Sequence, residues 1–203
     1  MSEVDTNEQV ERTLVLASGS PRRRLLLSMA GFEFAVISPD IAEIRLTNEP
    51  PEDFVVRMAL EKAMTVASTQ DEGTCVLGFD TSVVLGDRVY GKPVDEAGAA
   101  EMLLSLAGQT HTVYTGYAFV RTGQSTESGI DAARVTMRSI ASDEAVAYAA
   151  TGEPLDKAGA YALQGKGKGF VEDVEGLRST VIGLPLEHIV DLLIRNGIVP
   201  TRG

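Results

Sequence analysis

The chain has 203 residues, of which 44% are hydrophobic, enough for one sizeable domain or two close lobes around a shared sheet. It carries 29 acidic against 18 basic side chains, a net charge of −11, which argues against nucleic acid or an anionic membrane surface as a partner. The single cysteine, Cys75, excludes an intramolecular disulfide and sits in an apolar run that reads as a buried, inert thiol. No stretch is long and apolar enough to span a bilayer, and the first dozen residues are polar and acidic, unlike a signal peptide. The expectation is a cytoplasmic protein with a disordered tail over residues 1–12 and one domain over 13–203.

Strand and helix patterns alternate along most of that domain. Leu14–Ala17 reads as an apolar strand that stops at Ser18-Gly19-Ser20. A helix then opens with Ser20 as N-cap and Pro21 at its first position, runs to Met29 and closes at Gly31. Phe32–Ile37 is a second strand. Glu52–Ser68 has apolar residues at Val55, Met58, Ala59, Ala63 and Val66, a helical spacing behind the start signal Pro50-Pro51. Val76–Leu85 is a buried strand, turned by Gly86-Asp87 into Val89-Tyr90. Glu96–Leu106 is a helix ended by Gly108. Thr110–Arg121 and Ile130–Ile140 alternate in polarity and read as a long antiparallel pair around Gly123. Ser142 caps a short helix to Ala150, and Leu186–Arg195 forms the last helix, closed by Asn196-Gly197. The stretch Thr151–Gly183 holds seven glycines and no clear period, so it reads as irregular and functional. The simplest assembly is mixed α/β, with helices packed on a long twisted sheet.

Chemistry concentrates at turns. A strand, a Gly/Ser turn and a helix N-terminus form a site whose free N–H groups and dipole favour an anion. Arg22 and Arg23 follow at once, unfavourably placed for the dipole unless an anion neutralises them; a solvated basic face is the competing explanation. No phosphate-binding G-x-x-x-x-G-K-[ST] or G-x-G-x-x-G motif is present. Asp80 interrupts the apolar strand Val76–Leu85, so it must be paired, metal-bound or open to a cleft. Lys62 by itself reads as an ordinary surface lysine beside Glu61. Lys92, in Gly91-Lys92-Pro93, is not explained by a tight turn. His111 and His188 are the only histidines, so with one cysteine a soft-ligand zinc site is not built. What remains is a set of cations (Arg22, Arg23, Lys62, Lys92, Lys157) and acids (Glu43, Asp80, Glu153, Asp156), the groups that phosphoryl or nucleotidyl hydrolysis needs.

Together the segments LASGSPRR (16–23), Glu43, EKA (61–63), DT with VV (80–84), GKP (91–93), THTVYTG (110–116), GEPLDKAGAYALQG (152–165) and VIGLPL (181–186) resemble the Maf family of nucleoside triphosphate pyrophosphatases. The resemblance implies a two-lobed α/β fold with a central cleft, similar to inosine triphosphate pyrophosphatases. It also implies cleavage between the α- and β-phosphates of a nucleoside triphosphate, with a divalent cation, Mg2+ or Mn2+, held by Glu43 and Asp80. Asp80-Thr81 and KAGAYALQG (157–165) resemble the branch that hydrolyses dTTP and UTP, a house-cleaning role toward pyrimidine nucleotides. By position Asp80 is then the general base, with Glu43, Lys62 and Lys92 as the other catalytic groups. Ser18, Ser20, Arg22, Arg23, Thr81, Lys157 and Gln164 fall on substrate-binding positions, and Arg22, Thr81 and Gln164 on those that govern substrate choice. The chain departs from the family pattern at Ala42, where an acid is common, and at Phe79, where a small residue is usual. A homodimer is a form that the resemblance also implies. Two other readings stand beside this one: a 7-methyl-GTP pyrophosphatase, and a nucleotide-binding regulator of septum formation.

Overall fold

The computed structural model describes residues 13–201, so the expectation for residues 1–12 lies outside the described part. Its centre is a seven-stranded mixed sheet in the order β2-β1-β3-β5-β6-β7, with β4 paired to β3. Strand β1 (Leu14–Ala17) lies parallel to both β2 (Ala35–Val36) and β3 (Cys75–Leu85). From β3 onward the sheet is antiparallel, through β4 (Arg88–Tyr90), β5 (Thr110–Arg121), β6 (Ser125–Met137) and β7 (Val171–Glu175). The helices are α1 (Pro21–Met29), α2 (Pro51–Ala67), α3 (Glu96–Leu106), α4 (Ser142–Ala149), α5 (Arg178–Ile182) and α6 (Leu186–Arg195).

Alternation along the strands decides which helix covers which face. Leu14, Leu16, Cys75, Leu77 and Phe79 point to one side, where Leu27 of α1 and Ile189, Leu192 and Leu193 of α6 pack on them. Val15, Ala17 and Val76 point to the other, against Ala59, Ala63 and Val66 of α2. A separate cluster joins Val83, Val113 and Val135 to Leu103 and Leu106 of α3, Tyr148 of α4 and Phe170. Cys75 is buried with a free thiol, as its apolar run indicated.

Several boundaries differ from the sequence reading. The second strand shrinks to two exposed residues: the Phe32 amide bonds back to the Leu27 carbonyl of α1, so the chain there belongs to the turn and only Ala35–Val36 reach the ladder. Strand β6 begins at Ser125, not Ile130: the twelve paired positions from Thr110 to Arg121 carry polar residues such as Ser128 and Glu127 into the ladder, and the Glu127 carboxylate also accepts from Asn196 Nδ2 at 3.2 Å. Helix α4 has Ala141 as its N-cap, with no side-chain cap bond, and Ser142 inside the helix. The stretch after Thr151 is not wholly irregular. It contains strand β7, helix α5 and three 3₁₀ turns (Glu153–Asp156, Ala158–Ala160, Lys166–Phe170). Glu153 organises the first part of it: its carboxylate accepts from Tyr148 Oη at 2.9 Å and from the amides of Lys166 and Gly167 at 3.2 and 3.1 Å.

Candidate active site

Strand β3 delivers Asp80 to the face that α2 covers. Two glycines let that helix come close. A Cβ on Gly78 would stand 2.2 Å from the carbonyl oxygen of Ala59, and one on Gly116 would stand 2.3 Å from that of Val55. With nothing but hydrogen there, α2 lies against β3 and β5, and Lys62, three residues beyond Ala59, reaches Asp80. The Nζ–Oδ1 distance is 2.6 Å, and both side chains are only 8% exposed. Lys62 is therefore no surface lysine: helical spacing alone missed that a buried acid awaits it.

The same Nζ lies 2.7 Å from Glu43 Oε1. Glu43 comes from the non-regular segment between β2 and α2, and Arg57 of α2 holds that segment. Its Nη2 donates to the Ile44 carbonyl at 3.0 Å, and its Nε donates to Glu49 Oε1 at 2.6 Å. Burial raises the pKa of Asp80 above the usual carboxylate range, and the nearby charge and hydrogen bond of Lys62 only partly offset this. For Glu43 burial also acts upward, but the hydrogen bond and charge of Lys62, with Lys92 and Arg23, outweigh it and hold the carboxyl below its ordinary value. Two acids sharing one ammonium are thus pushed in opposite directions, an arrangement suited to distinct roles.

On the other face of β3, Arg23 is half-buried in the cavity wall and bonds to the protein around it. Nε donates to the Gly183 carbonyl at 2.7 Å, Nη1 donates to Ser18 Oγ and the Phe79 carbonyl, each at 3.2 Å, and Nη2 donates to Thr81 Oγ1 at 3.0 Å. Burial lowers its pKa to about 10, with the charge of Asp80 opposing and that of Arg22 adding, so it stays cationic at neutral pH. The Phe79 side chain, unexpected beside an acid, is fully buried, and the Arg23 guanidinium carbon sits 5.6 Å from its ring centroid. Arg23 thereby ties the Ser18 turn, β3 and the α5–α6 corner together. Ser20 caps α1 as its sequence position indicated, accepting from the Arg23 amide at 3.5 Å, while its own amide donates to Ser18 Oγ at 3.2 Å.

Arg22 points elsewhere. Its Nη1 donates to Asp156 Oδ2 at 2.7 Å, and Lys157 Nζ donates to Asp156 Oδ1 at 2.6 Å and to the Glu153 carbonyl. This pairing links α1 to the 3₁₀ turns across a cavity of about 580 Å3, a size that fits a nucleotide-like ligand. Ser18, Ser20, Arg22, Arg23, Glu43, Lys62, Asp80, Thr81, Lys92, Lys157 and Gln164, spread over 147 positions of sequence, all line it. The cavity also takes an apolar and aromatic wall from Phe54, Tyr161, Leu163, Val181 and Ile182. No charge or spacing in the sequence marks those five; only the fold brings them to one place. Behind Tyr161, its hydroxyl lies 2.8 Å from Nε2 of His111, whose burial lowers its pKa to about 4 and keeps the imidazole neutral.

For a metal, Glu43 and Asp80 supply hard oxygen donors that already converge on one cation, the Lys62 ammonium. No group of three or more His, Cys, Asp or Glu suited to a metal occurs among the described residues. The donor set therefore fits a Mg2+-type ion that takes one or two carboxylates and completes its shell with ligand phosphates and water, and it does not fit an all-protein cage.

A family model described as "Maf-like protein" matches residues 13–196. A dTTP/UTP pyrophosphatase of Myxococcus xanthus (strain DK1622) is 50% identical over 185 residues, 91% of this chain and 93% of that protein. Proteins of the same name from Photorhabdus laumondii and Salmonella typhimurium (strain LT2) are 43% and 45% identical, over 91% and 89% of this chain and 94% and 91% of their own. Among solved structures, a HAM1 protein from Coxiella burnetii aligns over 62% of this chain and 73% of its own with a TM-score of 0.44 and 18% identity.

Proposed function

The chain belongs to the Maf-like family, and from that premise we propose that it is a dTTP/UTP pyrophosphatase, hydrolysing these triphosphates to the monophosphate and pyrophosphate. One observation carries the reading: the Glu43–Lys62–Asp80 cluster stands in the cavity that Arg22, Lys92 and Gln164 also line, in a chain half identical to a protein of that name.

Water attacks the α-phosphorus in line with the departing pyrophosphate. Asp80 orients that water and takes its proton; a carboxylate whose burial raises its pKa is a stronger base than an exposed one. Lys62 would hold Asp80 in place and, with Lys92 and Arg22, neutralise charge on the triphosphate and on the leaving pyrophosphate. The Arg22–Asp156 pair sets this cation beside the wall formed by the 3₁₀ turns. Glu43, held below the usual carboxylate range, would remain ionised throughout and, with Asp80, hold a divalent cation. Such an ion supplies charge neutralisation at the phosphates and a lower pKa for the attacking water. Gln164 can donate its side-chain amide to a carbonyl oxygen on the imide edge of uracil or thymine.

The test is pyrophosphate release from a panel of nucleoside triphosphates with Mg2+ or Mn2+, run beside Asp80→Asn. Selective hydrolysis of dTTP and UTP that the variant loses supports reaction, substrate and base together. Hydrolysis of 7-methyl-GTP instead, or binding without hydrolysis, overturns the reading.

A further inference from the structure

Thr81 and Thr115 face one another across β3 and β5, with their hydroxyl oxygens 3.0 Å apart. The distance alone leaves open which of them donates, but their neighbours decide it. Thr115 Oγ1 donates to the carbonyl oxygen of Thr180 at 2.8 Å, and a carbonyl has no proton to return. Thr115 has only that one proton and is fully buried, so toward Thr81 its oxygen is an acceptor. The Thr180 carbonyl is itself held fixed. Thr180 is fully buried, and its hydroxyl donates to Asp131, the residue paired with Thr115 in the β5–β6 register. On its other side Thr81 Oγ1 accepts from Arg23 Nη2 at 3.0 Å. The Thr81 proton is thus turned into the protein and one lone pair is occupied. What Thr81 has left for the cavity it lines is a single lone pair.

We propose that Thr115 is a specificity-determining positioning residue, which by accepting the Thr81 proton makes Thr81 an obligate acceptor toward the nucleobase. The proposal rests on the reading of the cavity as a pyrimidine nucleotide site, with the base set against Thr81. An obligate acceptor matches the N3–H that uracil and thymine carry. Cytosine has a lone pair at N3, and two acceptors facing each other in a cavity leave both unpaired. A hydroxyl free to rotate would serve either base, so discrimination requires that its rotation be stopped. Thr115 stops it without touching the ligand.

The experiment compares kcat/KM for UTP and CTP in the wild type, Thr115→Val and Thr115→Ser, with the melting temperature of each protein measured alongside. In the valine variant the Thr81 proton has no partner in the protein and can turn to the cavity. The UTP-to-CTP ratio is expected to fall ~10-fold or more, since an unpaired polar contact decides discrimination of about that size. The serine variant keeps the hydroxyl and is expected to keep the wild-type ratio, even where its stability drops. A purely structural role would lower both substrates in parallel and leave the ratio unmoved. Thr115→Ala serves as a second probe of the same ratio should valine not fold beside the Thr180 carbonyl. A wild-type ratio in a folded valine or alanine variant, or a serine variant that loses the ratio too, overturns the proposal. A wild-type enzyme that hydrolyses neither UTP nor dTTP overturns the functional reading itself, independently of Thr115.

Discussion

Replacing Gly78 by alanine adds one methyl group, and the structure says what it meets. The new Cβ would stand 2.2 Å from the Ala59 carbonyl oxygen and 2.9 Å from both the amide nitrogen and the Cβ of Ala63. Two of these three are backbone atoms of a helix that also packs on β5, so no side-chain rotation relieves the contact. Restoring an ordinary separation requires α2 to lift by about 1 Å, and overpacking of this kind costs ~1–3 kcal/mol, here toward the upper end. For a domain of this size ~3 kcal/mol lowers the melting temperature by roughly 6–12 °C. The functional effect is separate from the stability effect. Lifting α2 withdraws Lys62 from Asp80 and Glu43, which it now holds at 2.6 and 2.7 Å, and a misplacement of about 1 Å in a catalytic group costs up to ~10²-fold in rate. Thermal denaturation and steady-state hydrolysis of UTP, both well below the variant's melting temperature, read the two effects apart. A Gly78→Ala protein with wild-type melting and turnover would refute the view that close approach of α2 builds the catalytic cluster.

Asp80→Asn should lower turnover by ~10²–10⁴-fold, the usual worth of a general base, while nucleotide binding followed by calorimetry persists. The pH profile follows from the direction of the Asp80 shift: kcat/KM should rise as pH climbs through a value above the ordinary carboxylate range, and Asp80→Asn should flatten that limb. The same shift has a stability consequence of opposite sense, because a raised folded-state pKa favours the fold at low pH and its contribution fades as pH rises through that value. Gln164→Ala should relax base choice more than it lowers the maximal rate, measured as kcat/KM over dTTP, UTP and CTP. Glu153→Ala removes the acceptor of Tyr148 and of the Lys166 and Gly167 amides, and should make residues 151–168 the first site of limited proteolysis without changing the pattern elsewhere.

What could be read from the chain, and what could not, divides along a physical line. Several short-range signals held, though the Ser142 cap did not: Ser20 and Pro21 open α1, and the acid Asp80 in an apolar strand did demand a partner. Signals failed where the job is set by something distant in sequence. Lys62 looks like solvent-facing decoration until Gly78 and Gly116 bring α2 down on the sheet, and those glycines show no turn or positive φ to mark them, only an absent side chain. Arg23 reads as an anion ligand from its place beside a helix N-terminus; it does line the cavity, and what the sequence hides is that it also donates to Gly183, Ser18, Phe79 and Thr81, partners up to 160 residues away. Of the three adjacent arginines, Arg22 faces the cavity rim and Asp156, while Arg23 carries the architecture that sets the Thr81 hydroxyl. The stretch after Thr151 hides β7 because its ladder is made with β6 residues such as Arg134 and Val135, and backbone pairing leaves no period in the sequence. A chain in which charge and capping disclose the chemistry therefore still withholds its selectivity, since selectivity here depends on which way a buried proton points, and that is decided by Thr115 and a carbonyl 65 positions further on.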